Sequence, residues 1–160
     1  MGFCRLVCLT FSGLLSVAVC AGEDTAKSQQ ELVQNFTEIH QNMMAKVAVA
    51  DMLFGCKLEK QEVEASGSEL QTYIVDTDRN SLAEQLMACI GEENIGSEMA
   101  LNFGIIGCFS DQTRHLEQQE QQQKMTQVAD AMKVISKEER QKSFTQCVNN
   151  QALQYLQVEK

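Results

Sequence analysis

Seven cysteines constrain this chain more than any other feature, because their number and compartment decide between thiol, metal and staple chemistry. Three of them, Cys4, Cys8 and Cys20, lie in the opening MGFCRLVCLTFSGLLSVAVCAGED. There Arg5 is the only charge before Glu23, and an apolar run from about Leu6 to Val19 ends in small residues. A short positive head, an apolar middle shorter than a bilayer span, and small residues at the cut describe a secretory signal peptide. Residues 1–21 are therefore expected to leave after Ala21, with Gly22 the near alternative, and 22–160 to remain as a single disulfide-tied helical domain. An N-myristoyl signal needs Ser or Thr where Leu6 stands. A retained anchor needs a longer run with basic residues after it, whereas Glu23 and Asp24 follow. The expected location is secreted and extracellular.

Removing that segment leaves Cys56, Cys89, Cys108 and Cys147, an even number in an oxidising compartment, and so two disulfides. Zinc and thiol-redox sites want closely paired cysteines, but intervals of 32, 18 and 38 residues separate these four. No metal and no cofactor is expected. Of the three possible connectivities, neighbours in sequence are favoured, Cys56 with Cys89 and Cys108 with Cys147. The interlocked pairing, Cys56 with Cys108 and Cys89 with Cys147, stays open because folding rather than spacing decides it. Each cysteine follows an apolar residue by three positions (Leu53, Leu86, Ile105, Phe144), which puts its sulfur on a core-facing side of a helix.

The rest of the composition points one way. After cleavage 12 basic residues stand against 22 acidic ones, a formal charge of −10, with no basic cluster. That balance disfavours nucleic acid and anionic membrane as partners. The chain has no proline and is rich in Glu, Gln, Lys, Ala, Leu and Met, all good helix formers. Only Thr72 to Val75 leans toward strand. The expected fold is all-α, a compact bundle of five to six helices stapled by two disulfides.

Along the chain, Leu32, Phe36, Ile39, Met43, Val47, Ala50 and Phe54 step by three or four and predict one long amphipathic helix with this stripe turned inward. Leu70 to Val75 fits a short helix or an extended link. Asp78 or Ser81 caps the next helix, which Gly91 stops. Ser97 starts a helix, MALNFGIIGCF, apolar on nearly every side and therefore central, with Gly104 and Gly107 allowing close approach of a neighbour. Ser110 or Asp111 is expected to cap a glutamine-rich helix. Ser136 with Glu139 forms a capping box for the last one.

Chemistry-bearing motifs do not emerge. The acid groupings Glu92-Glu93, Glu138-Glu139 and Asp76-Thr77-Asp78 read as helix-end charge or turns. His40 and His115 stand apart from any second ligand in sequence. The chain is therefore expected not to be an enzyme but a secreted small helical binding protein. The favoured role is a carrier for a small apolar ligand in an internal pocket. Its lining candidates are Met43, Phe54, Met87, Met99, Phe103, Phe109 and Met132, flexible or aromatic side chains suited to such a pocket. Four cysteines in a secreted helical chain give an architecture broadly similar to that of the odorant-binding-like carriers of arthropods. The order of intervals differs, since the longest comes last here. The alternative is a venom, salivary or gland effector that binds another protein. An enclosed apolar cavity favours the carrier; a filled core with an exposed apolar patch favours the protein binder. One sequon, Asn35-Phe36-Thr37, makes Asn35 a candidate glycosylation site.

Overall fold

The computed structural model describes residues 23–64 and 67–158, so the expected signal segment lies outside the described residues. The chain divides into two units, Met1–Asn35 and Phe36–Lys160. Of the first, the described part is the opening of a long helix. The second holds the rest of that helix and every later element. Among the described residues there are six α-helices and no strand: α1 (Glu23–Glu59), α2 (Ser68–Asp76), α3 (Arg79–Ile90), α4 (Glu98–Thr113), α5 (Gln118–Val134) and α6 (Lys137–Val158), with a 3₁₀ turn at Glu92–Asn94.

Local chemistry sets most boundaries. Gly67 precedes α2 at φ 76°, a left-handed conformation that glycine adopts without strain. The Asp78 carboxylate accepts from the backbone N–H of Asn80 at 3.0 Å and of Ser81 at 3.1 Å, starting α3. Gly91, at φ 83°, ends that helix with its N–H donating to the Met87 carbonyl at 2.9 Å. Ser97 Oγ accepts from the Ala100 N–H at the start of α4. Ser136 and Glu139 close the capping box reciprocally, at 2.9 Å and 3.2 Å. The segment from Leu70 to Val75 is helical, as part of α2. One boundary differs from expectation: Ser110 and Asp111 do not cap α5 but lie inside α4, both buried. The Asp111 side chain bonds to Tyr155, Gln151 and Arg114 instead of to backbone, so α4 continues to Thr113 and α5 begins after Glu117.

The core of the second unit is built by Val47, Leu53 and Phe54 of α1, Leu70 and Ile74 of α2, Leu82 and Leu86 of α3, Ile105 of α4 and Phe144 and Val148 of α6. The two disulfides are Cys56–Cys89, joining α1 to α3, and Cys108–Cys147, joining α4 to α6. Neighbours in sequence pair, and the four apolar residues three positions before the cysteines are all buried. The second bridge lies in mid-helix on both sides, not near the helix ends.

α4 is the central helix, and glycine lets it be so. A Cβ on Gly107 would stand 2.3 Å from the Asp51 carbonyl of α1; one on Gly55 of α1 would stand 2.2 Å from the Phe103 carbonyl of α4. A Cβ on Gly104 would meet the Phe144 ring of α6 at 2.4 Å. Thus α4 touches α1 backbone to backbone, and α6 through an aromatic side chain. Arg140 of α6 adds a polar tie: it donates to the Met132 and Ile135 carbonyls at the end of α5 and pairs with Glu98 of α4.

The apolar stripe of α1 does not face inward along its whole length. Contact with the core begins at Met43. Phe36 and Ile39 are 55% and 54% exposed; in the first unit Leu32 is 70% and Val33 64% exposed. The periodicity reported an amphipathic helix correctly but not whether a partner element covers each turn.

Gly107→Ala should destabilise the protein. Alanine's better helix propensity contributes about 1 kcal/mol, but the clash is with backbone and overpacking costs about 1–3 kcal/mol. Gly104→Ala should cost less, because the Phe144 ring can turn aside. Urea unfolding measures both; a Gly107→Ala protein more stable than wild type would contradict the packing described.

Candidate functional site

Two features of the second unit carry chemistry: the outer face of α1 with the groove beside it, and a polar cluster sealed within the bundle. On α1, Phe36, Ile39 and Met43 follow one another at three- and four-residue steps, and the Phe36 ring stacks on the His40 imidazole at 6.0 Å, 5° from parallel. Beyond Ile39 the face runs into an open groove of about 440 Å³ lined by Ile39, Asn42, Met43 and Lys46 of α1, Arg79 of α3 and Leu156 of α6. Lys46 Nζ donates to the Val75 carbonyl at 3.5 Å, which places that cation at the α2–α3 junction.

The seven side chains expected to line a pocket are spread through the unit. Phe54 is fully buried in the core. Met43, Phe103, Phe109 and Met132 are partly buried and pack against it; Met87 is partly buried, and Met99 is exposed. Met43 lines the groove just described, and Phe109 lines another with Gln112, Val128 and Ala131. None of the five main grooves joins two of the seven. Asn35 is exposed on α1.

The second feature, the buried polar cluster, carries no motif in the sequence. Asp51 of α1, Asp111 of α4, and Gln151 and Tyr155 of α6 are all buried. The Gln151 amide donates to Asp51 Oδ1 at 3.3 Å and to Asp111 Oδ2 at 3.1 Å, and the Tyr155 hydroxyl donates to Asp111 Oδ1 at 2.9 Å. Arg114 reaches the same Asp111 oxygen at 3.1 Å from the surface. Asp51 has no such cation, and its Oδ2 is buried without a partner. Burial therefore holds its carboxyl well above the ordinary carboxylate range; the Gln151 hydrogen bond opposes that shift and the nearby Asp111 charge adds to it. Burial and Asp111 likewise raise Tyr155, keeping its phenol a donor. The signal in sequence was an acid set within the apolar stripe, at the step between Val47 and Phe54.

The cluster ties α1, α4 and α6 together through buried side-chain hydrogen bonds. Among the described residues no group of three or more His, Cys, Asp or Glu side chains could hold a metal ion, and no helix is long and apolar enough to cross a membrane.

Asp51 makes stability depend on pH in a definite direction. The folded state keeps a proton that the unfolded chain releases above about pH 4, so folding is increasingly penalised as pH rises from there toward the raised folded value. The lowered carboxyls of Asp78 and Glu139, held down mainly by hydrogen bonds from Ser81 and Ser136, act in the opposite sense and are common to any Asp51 variant. Asp51→Asn, which needs no proton, should therefore gain increasingly on wild type in thermal midpoint as pH rises above about 4. Parallel curves across that range would show that Asp51 does not titrate as described.

Comparison with known proteins finds no match to this chain among protein-family models, curated proteins or solved structures.

Proposed function

We propose that the protein is a secreted, non-enzymatic binding protein that acts on another protein through the outer face of α1. One observation carries this reading: large apolar side chains, Phe36 and Ile39, stand more than half exposed on consecutive turns of a well-formed helix. Apolar surface of that kind, grouped rather than scattered, is how binding sites differ from ordinary surface. An amphipathic helix face read at such steps is also a recurrent mode of protein recognition. Phe54, Leu53, Leu70 and Ile74 fill the centre of the unit, which supports an external rather than an internal site. Two disulfides fit an extracellular setting. The acidic balance argues against nucleic acid as the partner. A carrier role is favoured at one place, the groove at Met43.

Burying the exposed halves of Phe36 and Ile39 contributes about 2–3 kcal/mol to association. Neither residue belongs to the core or packs against it, so both can be altered without unfolding the protein. Native mass spectrometry of the protein from its source should show a protein partner. The double variant Phe36→Asp, Ile39→Asp should keep its thermal midpoint and lose that partner with an affinity drop of about thirtyfold or more. A partner retained by the variant, or a source protein that carries no protein partner, would refute the reading.

A further inference from the structure

The groove beside the partner face is chemically asymmetric, and its asymmetry specifies a ligand. Its apolar floor is Ile39, Met43 and Leu156. Its cations are Lys46 and Arg79, and its lining includes no acid. Lys46 bonds to the Val75 carbonyl, and Arg79 opens α3 just after the α2 end, so both charges sit at the α2–α3 junction. Ile39 lies seven residues earlier on α1, roughly 10 Å along the helix axis. The groove therefore has a cationic end and an apolar end.

Those two cations are also available. Among the described residues neither forms an ion pair: the ion pairs are Arg114–Asp111, Lys133–Asp130 and Arg140–Glu98. Asp78, the residue before Arg79, is committed to capping α3 through Asn80 and Ser81. Asp76 is exposed nearby and is not within ion-pair distance of either cation. The groove lining itself thus carries two positive side chains and no negative one beside an apolar floor. Electrostatic complementarity of that kind selects an anion.

We propose that this groove binds a single-chain amphiphile with a carboxylate head, the head between Lys46 and Arg79 and the tail along Met43, Leu156 and Ile39. A volume of about 440 Å³ lies within the range of small-molecule sites. An arginine offers a carboxylate two parallel hydrogen bonds, and a lysine supplies a compact second charge. Neither cation is needed for the core, so the site can be altered without unfolding the protein. It shares Ile39 with the proposed partner face but does not depend on that reading.

Calorimetric titration with dodecanoate below its micelle concentration tests the proposal. Wild type should bind one equivalent, more weakly as salt is raised. Arg79→Glu and Lys46→Glu, checked for unchanged helical dichroism, should each weaken binding roughly tenfold or more. Dodecanol, with the same tail and no charge, should bind as weakly as dodecanoate binds those variants. Phe36→Asp, which removes the partner face, should leave dodecanoate binding intact. Equal binding of dodecanol and dodecanoate, indifference to the charge reversals, or no saturable binding would each overturn it.

Discussion

At Gly55 and Gly107 the backbones of α1 and α4 approach so closely that no Cβ fits between them. That contact fixes the position of the central helix, and the rest of the unit is arranged around it. With α4 seated against α1, its other side can take the Phe144 ring over Gly104 and the Cys108–Cys147 bridge to α6. The same seating brings the Asp51 and Asp111 side chains near enough for one amide, that of Gln151, to bond to both. Close helix packing thus buries two acids side by side, and the Gln151 and Tyr155 hydrogen bonds with the Arg114 pairing offset much of that cost. Buried hydrogen bonds that join three helices in this way tend to specify one arrangement of helices over another.

The two disulfides divide the labour. Cys108–Cys147 reinforces a contact that α4 and α6 already make through their core faces. Cys56–Cys89 closes the α1–α3 pair, where Lys57 also reaches across to Tyr73 and Gln85 and Lys60 to the Cys89 carbonyl. Each bridge closes a loop of about 34 to 40 residues, contributing about 4 kcal/mol by constraint of the unfolded chain. A bundle held in this way can leave an apolar helix face uncovered without losing its fold, which is what a surface binder requires.

Much of this was legible in the residues. Helix-forming composition without proline gave the fold class. Asp78, Gly91, Ser97 and Ser136 with Glu139 marked real helix ends because capping is local chemistry. The apolar, glycine-bearing run at Met99 to Phe109 announced the central helix. What remained hidden was tertiary. Periodicity could not say that the α1 stripe meets the core only from Met43 onward, because it records the side chain's preference and not its neighbour. Ser110 and Asp111 look like caps until Tyr155 and Gln151, more than forty residues away, are brought to them. The groove cations were hidden for the same reason, since Lys46 and Arg79 meet only when α2 and α3 fold back on α1.

α1 changes character along its length: from Met43 onward it packs into the core, with close approach to α4 at Asp51 and Gly55, whereas Phe36 and Ile39 before it form an exposed apolar face. Amide hydrogen exchange of the isolated protein, resolved by residue, tests this most directly. The slowest exchange is expected at Val47–Cys56 of α1 and Ala100–Cys108 of α4, with amides from 36 to 42 exchanging far faster. Equally slow exchange across 36–42 in the isolated protein would mean that the face is already covered, and would overturn the division of α1 into a packed and an exposed part.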